Sequence, residues 1–307
     1  MIVDNLDNIK KKDFFAIIIG SGPAGITTAL ELERKKIKTL IIEAGEIEPN
    51  TNIQKFLQGK VIGDEYADIS VSRLRQFGGA SGHWGGNCNP MNEADLNDWP
   101  IKKSDLEQYE NIAKKILNLH YKKNFFLENF SENLNIYNLV WSNVRFAEKY
   151  FDHIKKSKYI HLSLNTNFLN FNGNKKTINS INCIKNKNKI ILKSKYFILS
   201  CGGIENSRML LWSKEINKDM FNDKLPIGKY YMDHPYHSIG DGLILYDKLI
   251  SYFKKNNLNN RPILTCKSEM YMSAKDTFIK NKGILNAGLY FYFEGINEDN
   301  NIFKQVR

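Results

Sequence analysis

Three glycines, Gly20, Gly22 and Gly25, stand at G-x-G-x-x-G spacing in "IIIGSGPAGITTAL", and an acid, Glu43, follows the last of them by 18 positions (43 minus 25). That spacing suits one piece of chemistry. The first glycine makes a tight turn, the second lets a pyrophosphate approach the main chain, and the third lets a helix close on a strand. The helix N-terminus then offers free N–H groups to the anion, and an acid about 20 residues on accepts the ribose hydroxyls. Ser21 and Ala44 flank these positions and join the candidate set. A second stretch, "FGGASGHWGG" (77–86), encloses one imidazole and one indole among five glycines. Glycine costs backbone entropy, so such a run argues for a main chain pressed closely against something. Its candidates are Gly78, Gly79, Ser81, His83, Trp84, Gly85 and Gly86.

The elements that must position these residues are legible nearby. "FFAIII" reads as a buried strand from Phe14 to Ile19, followed by a glycine turn, a helix over about Ala24 to Lys35, and a second apolar strand from Thr39 to Ile42 that ends at Glu43. This is a βαβ unit, with strand, helix and terminal acid where dinucleotide binding needs them. The fingerprint alone does not choose between FAD and NAD(P), which share an ADP half. The second glycine loop favours FAD, because a long cofactor laid along the protein needs a second close approach and a nicotinamide cofactor has no evident use for one.

Further along, Ser104 and Glu107 form a capping-box pattern ahead of Leu106, Tyr109, Ile112, Ala113, Ile116 and Leu117, an apolar helical stripe expected to pack into a core. Strands are expected in "IHLSLNTNFLNF", "TINSINCI" and "KIILKSKYFILS", and after residue 225 in "GDGLILY", "PILTCKSEMYM" and "ILNAGLYFYFEG". No internal repeat is present.

Composition sets limits. The chain has 307 residues, 42% hydrophobic and 25% charged, which is ordinary globular usage. Its formal charge of +11 comes from 44 basic and 33 acidic residues. Most cations are lysines spread among asparagines and isoleucines, as in "NKNKIILKSK", which argues for a solvated basic surface and against a nucleic-acid partner. Cys88, Cys183, Cys201 and Cys266 show neither metal-ligand spacing nor a disulfide framework, so no metal is expected and a reducing compartment is. The N-terminus lacks the order of a signal peptide, and no apolar run approaches the ~20 residues of a membrane span. A cytoplasmic protein is the expectation.

Taken together, these stretches resemble the glucose-methanol-choline (GMC) oxidoreductases, flavoenzymes that oxidise alcohols. "GGASGHWGG" is similar to that family's second glycine-rich flavin loop, and "WPIKKSDLEQY" to the entry of its helical insertion. "YFILSCGGIENSRMLLWS" looks like the later strand, turn and helix that return to the nucleotide domain. "IGKYYMDHP" resembles the segment leading to the substrate domain. The matches run in family order from residue 14 to about 236. The resemblance implies an α/β fold: a Rossmann-like, discontinuous FAD-binding domain (1–92 and 155–225), a helical insertion (93–154), and the start of an antiparallel-sheet substrate domain (226–307), incomplete. It also implies that the 77–86 loop runs beside the flavin half of FAD, that Phe168 meets adenine through its backbone, and that Ser200, Cys201 and Gly202 lie near the adenosine.

His83 stands where some members carry a covalent bond to the flavin 8α-methyl. Two readings stay open, that bond or a histidine packed and hydrogen-bonded by the ring. Many members have asparagine where Trp84 stands. The tryptophan-containing loop looks most like the pyranose oxidase branch, which implies a sugar or polyol oxidised by hydride transfer to flavin N5. The family's proton-abstracting histidine lies in a C-terminal segment. Catalytic residues are therefore expected beyond Arg307, the 307 residues alone are expected to be inactive, and the electron acceptor is left open. His234 and His237 are read as structural turn residues; His120, His153 and His161 have no catalytic context. The competing readings are an NAD(P)-dependent dehydrogenase built on the βαβ unit alone, and a noncatalytic flavin-binding protein.

Overall fold

The computed structural model describes residues 1–4, 9, 13–119, 131–138, 140–234, 237, 239–240 and 270–290. In chain order its elements are β1 (Ala16–Ile19), α1 (Pro23–Arg34), β2 (Thr39–Ile42), α2 (Thr51–Gln54), β3 (Asn87–Cys88), α3 (Lys103–Glu107), α4 (Glu110–Ile116), β4 (Leu134–Asn138), β5 (Val140–Trp141), α5 (Phe146–Lys156), β6 (Ile160–Ser163), β7 (Thr166–Gly173), β8 (Ile178–Lys185), β9 (Asn188–Leu192), β10 (Tyr196–Leu199), α6 (Gly203–Ile216), β11 (Met270–Ala274), α7 (Asp276–Lys282) and β12 (Gly288–Tyr290). Two compact units result, Met1–Gly85 with Val144–His234, and Gly86–Asn143 with Pro235–Arg307.

In the first unit a parallel sheet runs β10-β1-β2-β6. Every residue of β1 and β2 is buried, as continuous apolar strands must be when both faces of a parallel sheet are covered. Helices α1 and α5 pack against the sheet, with Ile26 and Ala29 of α1 buried. Ile17, Ile19, Leu40 and Ile42, alternate residues of β1 and β2, enter one cluster with Phe168, Phe171, Ile181, Cys183, Ile190 and Leu192 from the antiparallel sheet β7-β8-β9. Each such side chain contributes roughly 1.5–3 kcal/mol on burial, so the period-2 pattern of the hairpin strands fixes which of their faces meets the parallel sheet. Helix α6 lies along β7, where the Ser213 hydroxyl accepts the Phe171 N–H at 3.1 Å.

Two stretches that read as single strands divide between sheets. "IHLSLNTNFLNF" breaks at Asn165, which adopts φ +51, leaving β6 in the parallel sheet and β7 in the hairpin sheet. "KIILKSKYFILS" divides the same way into β9 and β10. Asparagine tolerates the left-handed region through its short polar side chain, so the direction change at Asn165 is locally cheap.

In the second unit β12-β11-β4 form an antiparallel sheet, with Met272 opposite Leu289 and Ile136. The antiparallel sheet expected late in the chain therefore takes its third strand from the stretch read as a helical insertion. That stretch holds α3, α4, β4, β5 and α5, and α5 belongs to the first unit. Its first helix is capped differently from the sequence pattern, since Asp105, not Glu107, accepts a backbone N–H, that of Lys102, at 2.8 Å. None of the stripe residues of α3 and α4 is fully buried: Leu106, Ile112, Ile116 and Leu117 are half-buried, and Tyr109 and Ala113 exposed. "GDGLILY" after its first residue, Cys266, His120 and the last residues, 291–307, lie outside the described residues. No helix among the described residues is long and apolar enough to cross a membrane.

Candidate cofactor-binding site

The parallel sheet creates the site by its connections. From β1 the chain crosses through α1 to β2 on one side, while β10 lies on the other, so the strand order reverses at the carboxyl end of β1, where open α/β sheets bind ligands. Both strands flanking that point run into glycine-capped helices. Gly22 caps α1 and Gly202 caps α6, and neither helix has a side-chain cap, so first-turn N–H groups are left for an anion.

The three fingerprint glycines have distinct physical reasons. Gly20 adopts φ +97, and a Cβ there would lie 2.7 Å from Cys201 Sγ and 2.9 Å from Ser200 O. A Cβ on Gly25 would lie 2.1 Å from Gly20 O and 2.7 Å from Ser200 Oγ. These two are glycines because the protein itself fills the space. At Gly22 the backbone is extended (φ −68, ψ −178) and a Cβ would meet only Ser200 O at 3.8 Å. The chain gives no internal reason for that glycine, and the space beside it is where a pyrophosphate would come close. At Gly202 the space is also open, with nothing within 4 Å of its Cβ direction, but φ +83 is by itself a backbone reason for glycine. The residues present thus fit the diphosphate of a dinucleotide.

Ser200 and Cys201 join the two turns. The Ser200 hydroxyl donates to Ile19 O at 2.9 Å and Gly20 O at 2.8 Å, and the Cys201 thiol donates to Ile19 O at 3.0 Å. Burial, reinforced by the Glu43 and Glu205 carboxylates, pushes the Cys201 thiol up to about 12, so it is an inert structural donor at neutral pH.

Glu43 is only 6% exposed, and its carboxylate is already engaged. Oε2 accepts from Ser21 N at 2.9 Å and Ser21 Oγ at 2.7 Å, and Oε1 accepts from Gly45 N at 2.8 Å. Its first role here is to hold the glycine turn. Ala44 beside it is half-buried. Gly45 escaped the sequence reading, yet a Cβ on it would lie 2.1 Å from Arg75 O, and this contact brings the second glycine loop to the end of β2.

That loop is tied to the first turn at several points. Phe77 N donates to Glu46 O at 2.8 Å and Gly78 N to Ser21 O at 3.1 Å. A Cβ on Gly79 would sit 2.9 Å from Gly22 Cα, and one on Gly78 2.7 Å from Ala147 N. Ser81 is buried; its hydroxyl donates to Gly78 O at 2.7 Å and accepts the Phe146 N–H at 3.0 Å, capping α5. Trp84 donates Nε1–H to Val144 O at 2.9 Å and meets the Phe146 ring edge-on at 6.5 Å. Gly78, Ser81 and Trp84 are therefore committed to folding the loop onto α5. A Cβ on Gly85 would touch nothing within 4 Å. Gly86 begins the second unit, where a Cβ would lie 2.2 Å from Ser142 O.

His83 is the exception in the loop. It is exposed, and its ring makes no hydrogen bond among the described residues. Phe168 turns its side chain into the core, 4.8 Å from the Phe171 ring, on edge strand β7 opposite Cys183. Of the other histidines, His234 and His237 are exposed and His161 is buried; His153 bonds Glu33 at 2.5 Å.

Three arginines and one acid beside the site were also missed. Arg73 donates to Ile69 O at 2.6 Å, Leu57 O at 2.6 Å and Glu205 Oε1 at 3.0 Å, and Arg208 pairs with Glu205 Oε2 at 2.7 Å. Burial drives the Glu205 carboxyl up, but the bonds and charges of Arg208 and Arg73 outweigh it and hold the group below its ordinary range. Arg75 lies between Asn167 and the Gly45 turn. The only sequence signal for this cluster was the "RLR" directly before the glycine loop.

No protein-family model matches the chain, and no curated protein matches it. Solved structures do. A formate oxidase matches with TM-score 0.50 and 16% identity over 85% of this chain and 61% of its own. A formate oxidase from Aspergillus oryzae RIB40, carrying a mutation described for its effect on FAD modification, matches with TM-score 0.50 and 15% identity over 89% of this chain and 63% of its own. Pyridoxine 4-oxidase from Mesorbium loti aligns at TM-score 0.43 and 14% identity, over 64% of this chain and 50% of its own. The chain thus has the fold of formate oxidase, in agreement with the fold that the GMC resemblance implied. It spans about three-fifths of the length of the two formate oxidases.

Proposed function

We propose that the chain is the FAD-binding portion of a GMC-type oxidoreductase acting on CH–OH groups. The observation that carries this reading is Gly22, a helix-capping glycine at the topological switch point that the protein leaves open, with the 77–86 loop folded onto the same turn. In this reading the first-turn N–H groups of α1 receive the pyrophosphate, and Gly78 and Gly79 hold the second loop on the Gly20–Gly22 turn. The bound flavin supplies the chemistry of hydride acceptance. His83, exposed and without a side-chain hydrogen bond among the described residues, is the loop side chain available to the ring system. The substrate is an alcohol; the narrower sugar or polyol class rests on the loop's likeness to the pyranose oxidase branch. Trp84 adds little to that class, since its indole N–H is used internally.

The test is to load the purified chain with FAD and with NADP, record visible absorbance and affinity, and then denature it. Micromolar or tighter FAD binding with no comparable NADP binding supports the reading; the reverse refutes it. Mass spectrometry of the denatured, loaded chain then separates a His83–flavin bond from contact alone, because only the bond leaves added flavin mass on the peptide that contains His83.

A further inference from the structure

The three arginines near Glu205 are not equally used. Arg73 has three bonds and Arg208 a carboxylate partner. Arg75 has neither. Its guanidinium offers five N–H donors, yet among the described residues it makes one hydrogen bond, from Nη2 to Asn167 Oδ1, and it rests 5.1 Å over the Phe56 ring. Its Nε is buried with no partner, and no carboxylate pairs with it among the described residues.

A half-buried cation so poorly satisfied is costly unless something else completes it. Its position says what that would be. The Arg75 carbonyl packs on Gly45, next after the Glu43–Ala44 pair. Its side chain bonds Asn167, the neighbour of Phe168. Its field reaches Glu43 and Cys201, both in contact with the Gly20–Gly22 turn. Glu43 and Glu205 put two carboxylates at this end of the site, and Arg73 and Arg208 are spent on Glu205, so an arriving phosphate would meet the field of Glu43 beside Arg75, which has no acidic partner among the described residues.

We propose that Arg75 is a binding residue for the phosphorylated adenosine half of the cofactor, acting through its charge on the phosphate. This rests on the reading of the site as a dinucleotide site, and it assigns a role that neither glycine motif carries.

The experiment measures calorimetric affinity of the 307-residue chain for ADP and for adenosine, in wild type, Arg75→Met and Arg75→Lys, alongside the melting temperature of each chain without ligand. A lost charge-assisted contact weakens binding by roughly 10- to 100-fold. The expected result is a loss of that size for ADP in Arg75→Met, a smaller loss in Arg75→Lys, and a change below about 3-fold for adenosine, which falls short of one kcal/mol. Should Arg75→Met fail to give the wild-type circular dichroism spectrum, Arg75→Lys carries the test, with ADP weakened more than adenosine. Equal losses for ADP and adenosine, or none for either, overturn the inference while leaving the cofactor reading standing. A wild-type chain that binds neither ADP nor FAD sinks both.

Discussion

Replacing Gly22 with serine separates the two reasons a glycine can stand in this turn. The backbone at Gly22 is extended, with φ −68 and ψ −178, so a side chain brings no strain. Its Cβ would meet only Ser200 O, at an ordinary 3.8 Å. Serine also caps helices at least as well as glycine, so the unliganded Gly22→Ser chain is expected to match wild type or gain a few tenths of a kcal/mol. Ligand binding is affected in the opposite direction. The new side chain occupies the space the pyrophosphate needs, and its hydroxyl competes for the same first-turn N–H groups. Losing one charge-assisted hydrogen bond costs about 1.5–3 kcal/mol, so FAD affinity is expected to fall by at least ~10-fold. Gly25→Ala is the contrast: its Cβ would lie 2.1 Å from Gly20 O, and such overpacking costs ~1–3 kcal/mol or more before any ligand is present. Thermal melting without ligand and fluorescence titration with FAD read the two effects independently. Wild-type FAD affinity in Gly22→Ser, or a melting temperature in that variant as low as that of Gly25→Ala, would refute the assignment of the open space.

Glu43→Gln keeps the shape but replaces one acceptor oxygen with an NH2 donor that faces the Ser21 or Gly45 donors, so a loss of about 1–3 kcal/mol is expected in urea unfolding of the unliganded chain; unchanged stability would mean that Glu43 is kept for the ribose alone. Cys201, with its thiol pushed up to about 12 by desolvation and nearby carboxylates, is expected to resist iodoacetamide at pH 8 in the native chain and to react fully in urea, as read by peptide mass spectrometry; rapid native labelling would contradict a thiol held protonated beside Glu43 and Glu205. Because Arg208 and Arg73 hold the Glu205 carboxyl below its ordinary range against the cost of burial, that group favours the fold above the unfolded glutamate pKa of ~4.3 and loses its contribution as pH falls through the lower folded value. Glu205→Gln is therefore expected to be less stable than wild type at pH 7, with a gap that narrows on acidification in melting curves between pH 7 and 3.

The sequence determined the parts whose information is local. Gly20, Gly22, Gly25 and the apolar runs on either side specify a strand, a turn and a helix within thirty residues or so, because backbone conformation and hydrophobic period are written in neighbouring side chains. The same locality made the 77–86 loop visible. What only the tertiary structure decided is which of these residues serve the protein and which are left for a ligand. The space at Gly20 and Gly25 is closed by Ser200 and Cys201 from the turn after β10, some 180 residues away, while that at Gly22 is not. The side chains of Ser81 and Trp84 bond Phe146 N and Val144 O at the start of α5, which no local pattern connects to them. Arg75 is distinguished from Arg73 only by where Glu205 and Asn167 arrive. Hydrogen-bond saturation and free space depend on atoms brought together from distant segments, so a motif names the candidates for a site and the packed chain decides which of them remain free to act.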